Sequence, residues 1–460
     1  MIHSYRLMNK WPLRYASRLV CALALSFALF PSLLAQDPPR EKPKLKDFGS
    51  SLKHLKWDPK QNAAVEDKRR EAKATNAGDD DVVRVETSLV VSDVLVLDQH
   101  GRTVQGLTQK DFVLTEDGKP QEASTLSLGD NATVPRSIVL IIDYSCSQLP
   151  FLTASVEAAK TLVAQLGPLD RMAIVTDDIE LLVGFTSDKK KLKNKLDEVK
   201  TRTVFDPGLA PDAFSRRVPF GRGFEYSALM AVLKEGFDDE DVRPIIIFQT
   251  DGGEAAILKN PIVTPSIPPG LPPDWTALGQ ANLAHFQRYT SRNPREFSLA
   301  DVYTAAEKSR TTIYTVVPGY RLIGLSPEEQ TAQTKAYHDR EVSYLTVPMI
   351  RKRAEDRMKR MPVEVLRYEA DMRVKLQSAL AILSTITGGW IDFFAQPSQA
   401  AEIYSHILSD INQRYVIGYY PTNKQHDGKR RKVNIEVRGH PDYIVMGRKS
   451  YFAPEPEPSR

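Results

Sequence analysis

At 460 residues, with 42% hydrophobic and 26% charged side chains, the chain has room for two or three ordinary globular domains. A net charge of +4 is small for this length and gives no ground for a nucleic-acid binder. The only two cysteines, Cys21 and Cys146, exclude a disulfide framework, so stability must come from packing.

The N-terminus reads as an export signal. Arg6, Lys10, Arg14 and Arg18 precede the apolar run 19–35, which predicts a signal peptide over 1–35 cut after Ala35. Left uncut, the same run would anchor the chain in a membrane. Both outcomes put the remainder outside the cytoplasm, in the periplasm, in the cell envelope or secreted. Residues 36–80, rich in Pro, Lys, Asp, Glu and Ala, read as a flexible linker.

Residues 81–133 change character. β-branched runs broken at Asp98–Gly101, followed by a hairpin signal at Asp117-Gly118, predict a small β-sandwich-like domain. From 134 to 413 buried apolar runs alternate with amphipathic stretches. The runs ending at Ile142, in 171–177, at Gln249 and in 311–319 suit strands covered on both faces. The repeat predicts an α/β fold with a doubly wound, mostly parallel sheet, Rossmann-like in arrangement. Two stretches break that rhythm. The Pro-rich 256–295 and the charged, helix-prone 320–380 read as insertions. Residues 414–454 hold three strand-like runs, and 455–460 read as a disordered tail.

Chemistry concentrates at two strand ends. Asp143, Ser145 and Ser147 alternate along a loop just past one buried run, and Asp251 ends another. One carboxylate and two hydroxyls turned to a point, joined by a second carboxylate, form an oxygen set for Mg²⁺, Mn²⁺ or Ca²⁺. In an open α/β sheet such ends share a crevice. A simpler reading has the serines cap the next helix while Asp143 bonds within its own turn.

The segments IIDYSCS, DRMAIVTDD and QTDGG together resemble the von Willebrand factor A (VWFA) family and its metal-ion-dependent adhesion site. Further stretches, among them GRGFEYSALMAVL, STITGGW and QRYVIGYYPTN, resemble the VWFA-related proteins abundant in Acidobacteria. The likeness covers most of 82–454. It implies that Asp143, Ser145, Ser147 and Asp251 hold a divalent cation, magnesium first with manganese or calcium as alternatives, and that the cation serves binding rather than catalysis. One departure stands out: aligning Tyr226, Ala228 and Leu229 with the family pattern puts Gly223 where a threonine ligand is expected. Glu225 or Ser227 are the candidates to compensate.

Other activities lack their signatures. The histidines form no close zinc pair, and there is no nucleophile elbow, Walker A loop or dinucleotide fingerprint. The basic clusters at 189–195, 351–360 and 429–432 are not interleaved with stacking aromatics, which disfavours nucleic acid. The expected function is therefore metal-assisted binding of a protein or envelope component through an acidic side chain. The alternative is a scaffold that binds through its insertions, with a degenerate metal site. A metal-dependent hydrolase is the minor alternative.

Overall fold

The computed structural model describes residues 55–58, 63–66, 89–128, 135–148, 151–202, 224–237, 243–292, 295–343 and 348–456. The predicted signal peptide, most of the predicted linker, Gly223 and the end of the predicted tail lie outside them.

The described residues begin with two short strands, β1 (Leu55–Asp58) and β2 (Ala63–Glu66), which lie inside the stretch read as a flexible linker and are ordered there by pairing with each other and with the sheet. Four strands follow: β3 (Val90–Leu97), β4 (Phe112–Glu116), β5 (Lys119–Gln121) and β6 (Ala123–Leu128). Asp117 and Gly118, at φ 48° and 79°, make the tight turn between β4 and β5, as their sequence predicts. Then come β7 (Arg136–Ile142), α1 (Leu152–Gln165), β8 (Arg171–Thr176), β9 (Leu181–Thr186) and α2 (Lys189–Arg202). Asp188 starts α2 by accepting the backbone N–H groups of Lys190 and Lys191, both at 3.0 Å. The middle of the chain runs α3 (Glu225–Glu235), β10 (Arg243–Gln249), α4 (Pro273–Arg292), α5 (Leu299–Lys308) and β11 (Thr312–Pro318). Helices α6 (Pro327–Ser343), α7 (Pro348–Lys359) and α8 (Val363–Ile386) precede β12 (Ile391–Phe394) and α9 (Pro397–Gln413). The last described strands are β13 (Tyr415–Tyr419), β14 (Arg430–Val437), β15 (Ile444–Met446) and β16 (Ser450–Phe452).

The main sheet has the order β1-β2-β9-β8-β7-β10-β11-β12. From β8 through β12 every pairing is parallel, and β9, β2 and β1 continue it antiparallel. Every residue of β7 and of β10 is buried, which is what a continuous apolar run achieves only when both faces are covered. Ile138, Leu140 and Ile142 pack with α1, α2 and α9 on one face. Val139 and Ile141 pack with α3, α5 and α8 on the other. The result is an α/β fold of the VWFA or Rossmann-like kind, with a largely parallel sheet between two helical layers. Among the described residues, no helix is long and apolar enough to cross a membrane.

Two features come from contacts between distant segments. Helix α8 starts within the charged stretch 320–380 yet supplies core residues such as Leu376, Leu380 and Leu383. Trp275 of α4, Met358 of α7, and Val365 and Leu366 of α8 share a small core, so the stretches 256–295 and 320–380 pack on each other. The early and late β-segments also interleave. Strand β13 lies between β3 and β6, and β14 lies between β16 and β4. The two four-stranded sheets close on one core that includes Val94, Phe112, Ile417 and Ile435.

Candidate metal centre

Strand β7 has its neighbours β8 and β10 on opposite sides, so the chain reverses its winding direction there. The crevice beyond the ends of β7 and β10 is the topological switch point of the sheet. Ile142 and Gln249 are register partners, which brings the next residues together. The Asp143 backbone N–H donates to the Gln249 carbonyl at 3.0 Å. One side-chain oxygen from each of Asp143, Glu225 and Asp251 then lies within 4.8 Å of the other two. Asp143 and Glu225 are buried, and Asp251 is partly exposed at the mouth.

Each carboxylate is held by its own surroundings. Asp143 accepts the Ser145 backbone N–H and the Thr250 hydroxyl, both at 2.9 Å. Asp251 accepts the Gly253 N–H at 3.1 Å. Glu225 Oε1 accepts the Glu254 N–H at 2.5 Å, while Glu225 Oε2 is buried with no hydrogen-bond partner. Burial, with the neighbouring charge of Asp251, raises the Asp143 pKa to about 7. Burial and the charges of Asp143, Glu254 and Asp251 push Glu225 well above the ordinary carboxylate value.

The serines divide. Ser145 and Ser147 share a hydrogen bond between their hydroxyls at 3.1 Å, and Gln148 donates to Ser147. Ser227, one of the two residues expected to compensate for Gly223, is turned elsewhere. Its hydroxyl and backbone N–H donate to the carboxylate of buried Glu254 at 2.6 and 2.9 Å. Arg295 completes that carboxylate at 2.6 Å and lies 4.1 Å from the centre of the Phe224 ring. Glu254 therefore belongs to a closed ion pair that braces the start of α3, and Glu225 is the residue from that helix in the trio. The sequence reading missed Thr250 and Glu254. Thr250 stands beside Asp251 and was open to view, but Glu254 finds its partners 27 residues back and 41 residues on.

The donor set suits a hard divalent cation. All the groups are oxygens, and an unpartnered buried carboxylate oxygen faces a shortage of positive charge that an ion would relieve. Without an ion, two of the acids must hold protons or repel each other. Asp143, Glu225 and Asp251 can thus coordinate a divalent cation.

No family model matches the chain, and no curated protein matches it. Solved structures do. The vWF domain of the type V pili tip protein Mfa5 from Porphyromonas gingivalis is 13% identical at a TM-score of 0.30, with 61% of this chain and 96% of that one covered. The conserved hypothetical protein BatB from Bacteroides thetaiotaomicron is 16% identical at a TM-score of 0.22, over 40% of this chain and 67% of that one. A manganese-loaded Plasmodium vivax TRAP protein is 11% identical at a TM-score of 0.23, over 74% and 98%. A three-domain N-terminal portion of Mfa5 is covered over only 26% of its length. The resemblance is distant and confined to the fold, and it carries nothing about a ligand.

Proposed function

We propose that this is an exported binding protein whose partner is captured through a divalent cation, with magnesium the expected ion and manganese or calcium its competitors. Asp143, Ser145, Ser147 and Asp251 form the ligand set, directly or through water. Glu225 stands in for the oxygen that Gly223 cannot supply. The observation that carries this reading is the convergence of Asp143, Glu225 and Asp251 at the switch point of the sheet. A cation held there by a partly exposed set keeps a position for an outside ligand, and an acidic side chain of a protein or envelope component is the natural occupant. The role is binding rather than catalysis.

Calorimetric titration of Mg²⁺ and Mn²⁺ into metal-free protein tests it, with folded Asp143→Ala as the control. One saturable site in the wild type, absent in the control, is expected. A folded wild type that takes up neither ion overturns the reading.

A second reading draws on Ser227. Its capture by Glu254 leaves the trio without that hydroxyl, and protonated Asp143 and Glu225 would be stable together with no ion. The protein would then be a scaffold that binds through its insertions. Partner binding that persists in EDTA favours the scaffold, and binding lost in EDTA favours the metal.

A further inference from the structure

Three carboxylates around one divalent cation leave an excess of negative charge, and such a centre would repel an acidic partner. A positive group at the crevice removes that conflict. Arg295 does not serve, because Glu254 already neutralises it. Arg373 of α8 does.

Arg373 is half-buried, with its guanidinium 5.5 Å from the ring centre of Tyr320 and 5.7 Å from that of Tyr337. Tyr320 lies just beyond β11, the strand next to β10, and so at the same edge of the sheet as Asp251. Two turns further along α8, Leu380 packs on the Asp251 loop, where a Cβ added to Gly252 would meet it at 3.1 Å. The helix therefore runs beside the acidic crevice. Glu369, one turn before Arg373, has Oε2 against His338 Nε2 at 2.6 Å, while its Oε1 is buried with no hydrogen-bond partner and its charge acts on Arg373. Against the burial that would lower it, Tyr320, Tyr337, Glu369 and Asp251 hold the Arg373 pKa above its ordinary value, so the group stays charged. Among the described residues it stacks on the two rings and makes no ion pair, and a planar fork of N–H groups suits a carboxylate.

We propose that Arg373 is the specificity-determining residue of this centre, and that the partner is an acidic peptide with two neighbouring carboxylates, one for the cation and one for the guanidinium. The inference rests on the metal-centre reading above. It assigns to the inserted stretch a direct part in recognition.

The probe is a short glycine-flanked peptide carrying an Asp-Asp pair, with an Asn-Asn peptide as its control. It is titrated into the full chain and into Arg373→Gln and Arg373→Lys, each with Mg²⁺ and with EDTA. In Mg²⁺ the Asp-Asp peptide binds the wild type and the Asn-Asn peptide does not. Arg373→Gln weakens the peptide by about tenfold or more, and Arg373→Lys by less. Mg²⁺ itself binds Arg373→Gln as tightly as the wild type or more tightly, because a nearby positive charge is gone. A merely misfolded variant would lose both. Equal peptide affinity in wild type and Arg373→Gln overturns the proposal, as does a wild type that binds Mg²⁺ but not the Asp-Asp peptide. A wild type that binds no Mg²⁺ overturns the metal reading instead. If that wild type still binds the peptide, with the binding lost in Arg373→Gln, the role of Arg373 stands without the metal.

Discussion

The two ends of β7 and β10 treat charge in opposite ways. At their starts, Arg136 and Arg243 are register partners, so two guanidinium groups enter the sheet side by side. Each finds its own acid: Arg136 Nε donates to Asp170 at 2.6 Å, and Arg243 Nε to Asp93 at 3.2 Å. Nearby, Arg414 donates to both oxygens of Asp410 at 3.0 and 3.1 Å. At the far ends of the same strands the acids Asp143 and Asp251 meet a third, Glu225, and among the described residues none of the three is in an ion pair. One end is electrically closed and joins the sheet to the β-sandwich through Asp93. The other is open to a cation. A buried charge with its counter-charge is a structural device, whereas buried like charges await a ligand or a proton.

The sharpest way to break this contrast is to open the closed end. Asp170→Ala strands buried Arg136 and should cost about 3–5 kcal/mol in urea unfolding. Asp143→Asn at the open end should change the stability of the metal-free protein by less than about 1 kcal/mol, or raise it, since it removes a repelling charge. The same variant should lose Mg²⁺ binding in calorimetry. A large destabilisation by Asp143→Asn would make the trio a structural network like the other end.

A smaller effect follows from pH. Asp143 holds its proton to about pH 7 in the fold, against an ordinary value of 3.8 when unfolded. A raised acid pKa stabilises the fold below the unfolded value, and that contribution is lost as pH rises through the folded one. The melting temperature of the metal-free protein should therefore fall between pH 4 and about 7. Mg²⁺ competes with the proton and should reverse the trend near neutrality. A melting curve that does not respond to pH or Mg²⁺ would count against the open end.

The smallest effect concerns the loop that carries Asp251. Gly252 sits at φ 79°, and a Cβ there would press on Leu380. Gly252→Ala should cost about 1–2 kcal/mol and weaken Mg²⁺ binding through a displaced Asp251. An unchanged cation affinity would separate the loop backbone from the position of the carboxylate.

Much of this was readable along the chain. The apolar runs at β7 and β10 identified strands covered on both faces, and the acids at their ends pointed to one crevice. The hairpin at Asp117-Gly118 follows from local backbone preferences. Pattern failed wherever partners were far apart. The segment 320–380 is charged and helix-prone enough to read as an insertion, yet α8 begins inside it and lines the core with Leu376, Leu380 and Leu383. The β-runs before and after the α/β region looked like separate segments, because nothing local records that β13 pairs with β3 and β6.

The sequence by itself determined the buried strands of the central sheet, and which of them end in acids, because side-chain period and turn chemistry act over a few residues. Only the tertiary structure decided between Glu225 and Ser227. Both lie in the first turn of α3, and either could have faced the crevice. Glu254 and Arg295, from the other side of β10, claim Ser227 and leave Glu225 beside Asp143 and Asp251. Such a choice depends on competing hydrogen bonds and buried charges between segments that meet only once the sheet is wound.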